Sequence, residues 1–115
     1  MELRAPLAVP VEIRIATGPG PSPQGPRVFR LSRSVGEDGV RLARPAPFEI
    51  GRPVDVVLRL PEAPEPLRLR AELLAADGDR PEGPDAGGRE LRFLDPPHAA
   101  RAAIHRYVAD RLGLI

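Results

Sequence analysis

The groups in this chain with the means for chemistry are carboxylates, arginines and two histidines, because none of its 115 residues is a cysteine. Disulfides, thiolate metal sites and cysteine nucleophiles are thereby excluded together. His98 and His105 stand seven positions apart. On one helix that spacing puts them on the same face about 10 Å apart, too far to share a metal without further ligands. They read as exposed helix histidines. Asp77, Asp79, Glu82 and Asp85 cluster in one stretch, yet they lack the ordered spacing and closing Glu of a calcium loop and read as a solvated acidic loop. No serine-centred elbow, HExxH, phosphate-binding glycine loop or dinucleotide fingerprint occurs. Nor does any carboxylate sit in an evident apolar pocket that would tune its pKa. The expectation is a protein that binds rather than catalyses, with no metal and no resident cofactor.

All 17 basic residues are arginine. A guanidinium-rich surface suits phosphates, and a bias toward G/C-rich codons yields the same composition. The net charge of +1 argues against DNA or RNA as a partner, which calls for a strongly basic face. No apolar run is long enough to span a bilayer. The opening Met-Glu-Leu-Arg-Ala-Pro lacks the apolar stretch of a signal peptide, so a cytoplasmic location is expected.

These groups must be positioned by short strands. Val9, Val11, Ile13 and Ile15 alternate with Pro10, Glu12 and Arg14, the period of a strand with one buried and one solvated face. Residues 17–26, TGPGPSPQGP, form a flexible loop. Val28–Leu31 is a short strand candidate, and the turn-rich Ser34–Gly39 leads into a strand at Val40 and Leu42. After Gly51-Arg52-Pro53, Val54–Leu60 is the clearest strand. Leu67, Leu69, Ala71 and Leu73 alternate with charges. Residues 77–88 hold four glycines and two prolines and form a second mobile loop. Leu91 and Phe93 close the series.

The period then changes. Asp95 is placed to cap a helix with Pro96 at its first position, Ile104, Tyr107, Val108 and Leu112 form its apolar stripe, and Gly113 stops it. Five or six short strands and one C-terminal amphipathic helix describe a small antiparallel barrel, closed or nearly so, in a single domain spanning 1–115. Val11, Ile13, Val40, Leu42, Val56, Leu58, Leu69, Leu91 and Phe93 should share one core with Ile104 and Val108.

The run from Gly39 to Pro61, GVRLARPAPFEIGRPVDVVLRLP, resembles the middle of a PilZ domain. The ending GRELRFLD from Gly88, with IHRYVADR from Ile104, is similar to that family's last strand and C-terminal helix, and RAPLAVPVEI from Arg4 to its opening. The resemblance implies a mainly β fold, a six-stranded antiparallel barrel with one C-terminal helix, and a bacterial receptor for cyclic di-GMP. In the family an R-x-x-x-R pair stacks on guanine and grips phosphate, and a [D/N]-x-S-x-x-G turn hydrogen-bonds a guanine edge.

Only part of each motif is present. Arg4 matches the first arginine, but the second falls on Ala8; Ser34 stands at the Asp/Asn position, Gly36 at the Ser position, and only Gly39 matches. At about 1.5–3 kcal/mol per charged hydrogen bond, these losses weaken binding by roughly 10²–10⁴-fold. Arg27, Arg30 and Arg33 either compensate or are simply exposed strand charges. Two functions follow from the resemblance. One is an adaptor that acts through protein contacts, its partner a component of a motility, pilus or secretion system. The other is a divergent cyclic di-GMP receptor using the compensating arginines.

Overall fold

A computed structural model describes residues 4–15, 27–61, 63–75 and 88–114. Both glycine- and proline-rich stretches, and the acidic residues of the second, lie outside these apart from Gly88. The strands are β1 (Arg4–Ala5), β2 (Pro10–Ile15), β3 (Arg27–Gly36), β4 (Gly39–Ala46), β5 (Pro53–Leu58), β6 (Leu67–Leu74) and β7 (Gly88–Phe93), followed by helix α1 (His98–Arg111).

Pairing is antiparallel throughout. Two three-stranded meanders, β2–β3–β4 and β5–β6–β7, meet along β2–β5 and along β4–β7, which closes a six-stranded barrel. β1 lies outside the ring on the end of β3, with Arg4 opposite Gly36 and Ala5 opposite Val35. The alternation in the sequence therefore has its expected physical cause, since one face of each of the six ring strands lines the interior. Every residue expected in the core lies in one buried cluster, Ile104 and Val108 of the helix included. Each buried Leu, Ile or Val contributes about 1.5–3 kcal/mol, and with no disulfide this packing must hold the barrel.

Local readings change in four places. Ser34–Gly36 is strand rather than turn: β3 runs to Gly36 through a bulge between Ser32 and Ser34, and only Glu37-Asp38 turns into β4. The extra residue of a bulge breaks the strict period of two that would have revealed a long strand. Glu12, expected on a solvated face, is buried at 7% exposure, because Arg14 and Arg27 fold over it.

The helix, too, begins later than its capping signal. Asp95 takes φ 47°, and Pro97 precedes the helix at φ −57°, ψ 145° with no side-chain cap. Consecutive prolines explain this, since a residue before proline is pushed away from helical geometry. The buried stripe is Ala100, Ile104, Val108 and Ala109, and Leu112 is 39% exposed. Gly113 ends the helix as expected. At φ 76° it donates to the Asp110 carbonyl while Leu114 donates to that of Ala109, the paired bonds of a Schellman turn.

Candidate functional site

Ser34, Arg41 and Glu90 occupy neighbouring strands in one row. Ser34 pairs with Arg41 across β3–β4, and Arg41 with Glu90 across β4–β7. Their chain neighbours Val35, Val40 and Leu91 point into the core, so by the alternation of strands the three side chains project from the outer face. Arg4 reaches over from β1. Its Nη1 donates to Ser34 Oγ at 3.2 Å and lies 3.1 Å from Glu90 Oε1. Arg41 donates through Nε to the other carboxylate oxygen, Oε2, also at 3.1 Å. One carboxylate thus bridges two guanidiniums, one on each oxygen, beside a serine hydroxyl. The side chains of Arg4, Arg41 and Glu90 remain 29%, 36% and 20% exposed.

The segment between β1 and β2 is held by a residue that sequence reasoning passed over. Ser32 is buried, its hydroxyl donating to the Leu7 carbonyl and accepting from the Val9 amide at 2.9 Å, while its own amide donates to the Val9 carbonyl at 3.0 Å. Ala8 sits between these anchors and faces solvent. The position set against the second arginine in the sequence is therefore held between two anchored neighbours and carries a methyl group.

Gly39 has a packing role of its own. A Cβ there would lie 2.0 Å from the Leu91 carbonyl oxygen, so the approach of β4 to β7 admits no side chain. Gly36 is buried at the end of β3 and avoids the left-handed region, where the described glycines are Gly51 and Gly113.

Arg4 and Ser34 are thus brought into contact, whereas Arg27 and Arg30 are not brought to them. Arg27 is directed to Glu12 Oε1 at 3.3 Å, and by strand rise it sits roughly 20 Å from Ser34. Arg30 donates through Nε to the Pro45 carbonyl and through Nη1 to that of Phe29, both at 3.0 Å. Arg33 is exposed beside the bulge. Arg41 and Glu90 were not among the residues expected at the site. Only the β4–β7 register brings them there, and one sequence carries no signal of that register.

A family model described as PilZ domain matches residues 2–110. Among solved structures, the Bacillus subtilis inhibitor of motility MotI/DgrA is similar with TM-score 0.68 and 19% identity over 96% of this chain and 49% of that one. This chain therefore spans about half of that protein. The PilZ domain of CeSA from a cellulose-synthesizing bacterium gives TM-score 0.60 and 20% identity over 93% and 95% of the two chains. A tetrameric Xanthomonas campestris PilZ protein gives 0.62 and 18% over 97% and 88%. No curated protein matches in sequence. Among the described residues no helix is long and apolar enough to cross a membrane.

Proposed function

The chain belongs to the PilZ domain family, a family of cyclic di-GMP-binding regulatory modules, and from that premise we propose a non-enzymatic cytoplasmic adaptor that acts through protein contacts and whose nucleotide site has lost part of its ligand set. The observation that carries this reading is the neighbourhood of Arg4. The scaffold sets its guanidinium against Ser34, the two motif-equivalent positions, while Ala8 supplies no second guanidinium and Ser34 no carboxylate. Phe29 and Leu31, on one face of β3, stay 60% and 54% exposed, the kind of surface that protein partners cover. The similarity to an inhibitor of motility supports a motility, pilus or secretion component as that partner. A divergent receptor has less support, because Arg27 and Arg30 are directed to other acceptors.

Calorimetric titration with cyclic di-GMP tests the reading. The parent should bind more weakly than micromolar. The triple variant Ala8→Arg, Ser34→Asp, Gly36→Ser should bind at least about tenfold more tightly, a gain of about 1.4 kcal/mol. Because Gly36 is not left-handed, serine there meets no backbone strain. Sub-micromolar binding by the parent would overturn the adaptor reading. A folded triple variant that gains nothing would overturn the assignment of the two motifs to these positions.

A further inference from the structure

We infer that Glu90 is a built-in occupant of a two-arginine anion site formed by Arg4 and Arg41, standing where a phosphodiester would, and that an incoming phosphate group binds only by displacing its carboxylate. The inference rests on reading the Arg4–Ser34 neighbourhood as a nucleotide site, and it adds a ligand residue and a competitor to it.

The geometry is that of a filled site. Arg4 Nη1 and Arg41 Nε each meet a different oxygen of the same carboxylate, both at 3.1 Å. Planar guanidiniums recognise carboxylates and phosphates through the same paired-oxygen face. A phosphodiester also presents two terminal oxygens that share one negative charge. Exchange therefore leaves the charge of the site unchanged, and any solute must outcompete a group already in position. The three side chains are partly exposed, so a released Glu90 regains water and the exchange needs no unpaired buried charge. Arg41 also supplies, from β4, the second guanidinium that the opening segment lacks at Ala8. The site is thus altered in two ways, with its second cation on another strand and an internal anion closing it.

A purely structural role, with Glu90 stitching β1 to β4, makes the opposite prediction. Glu90→Gln keeps the size and shape of the side chain, removes its charge and turns one of the two acceptor oxygens into a donating NH2; Glu90→Ala serves as a second variant. Circular dichroism and thermal melting establish that each is folded. Cyclic di-GMP, with two phosphodiesters, is titrated into parent, Glu90→Gln, and Glu90→Gln with Arg41→Ala at one ionic strength. Inorganic phosphate at millimolar concentration is a second arm, read by NMR shifts. The expected result is at least about tenfold tighter dinucleotide binding by Glu90→Gln, abolished by the added Arg41→Ala. A folded Glu90→Gln that binds neither solute better than the parent overturns the inference, as does a gain that survives loss of Arg41. Gain for phosphate with none for the dinucleotide keeps the occupant and overturns the nucleotide reading. Should the Ala8→Arg, Ser34→Asp, Gly36→Ser protein bind while neither Glu90 variant does, the motif reading stands and the Glu90 inference falls alone.

Discussion

Glu12 and Glu90 are each gripped by two arginines, Glu12 by Arg14 and Arg27 and Glu90 by Arg4 and Arg41. Around Glu12 the contacts are local to the β2–β3 pair, and both guanidiniums meet the same oxygen, Oε1. Phe29 lies across from it on β3 and Val57 on β5, and its side chain is only 8% exposed. Burial pushes the Glu12 carboxyl up, but the hydrogen bonds and charges of Arg14 and Arg27 outweigh that and hold it below the usual carboxylate range. Glu90 instead joins strands from three parts of the chain, uses both oxygens, and lies closer to solvent. The same three groups give a covered carboxylate in one place, although Arg27 beside it stays 55% exposed, and a more accessible carboxylate in the other. Residue types do not separate the two; cover and connectivity do.

The strongest way to break this contrast is Gly39→Ala. Its Cβ would meet the Leu91 carbonyl, and forcing β4 from β7 should destabilise the protein by about 3 kcal/mol or more while separating Arg41 from Glu90. Chemical denaturation would show it, and a loss below about 1 kcal/mol would contradict the β4–β7 register. Next comes Glu12→Gln, which should cost about 1–2 kcal/mol at neutral pH because it leaves a buried amide facing two guanidiniums. Its pH dependence follows from a folded pKa held below the ordinary value. The stabilisation by Glu12 is complete above the ordinary carboxylate range and fades as pH falls through that range toward the lowered value. Parent and Glu12→Gln should therefore converge in stability on acidification, and a constant gap between them would refute the assignment. Glu90→Gln should have the smallest effect on stability, below about 1 kcal/mol, as for exposed ion pairs. A larger loss for Glu90→Gln than for Glu12→Gln would reverse the comparison.

What the sequence discloses follows the range of the forces involved. Alternation of Val54, Val56 and Leu58, or of Leu69, Ala71 and Leu73, reports a buried face directly, because each strand senses inside and outside without reference to its partner. Gly113 is equally legible, since a left-handed helix end is a property of one residue. Asp95 shows the limit of such local signals, where two following prolines override a good capping residue. Arg4 and Ser34, which the structure brings into contact, were singled out through motif resemblance. Arg41, Glu90 and Ser32 were not, because their roles exist only once β3 meets β4, β4 meets β7, and the segment before β2 is laid against β3.

The two meanders also set how the molecule comes into being. Contacts inside each form between near neighbours along the chain, but the seams join Val11 to Leu58 and Arg41 to Glu90. Bringing such distant segments together expends chain entropy before it gains contacts, which places folding in the range of about milliseconds to seconds. An order in which the ring shuts last predicts that trimming its seam with Leu91→Ala hastens unfolding far more than it slows refolding in stopped-flow measurements; equal effects on both rates would mean an early seam. During synthesis the first meander must wait, its β4 edge open, until residues 88–93 have left the ribosome to cover it.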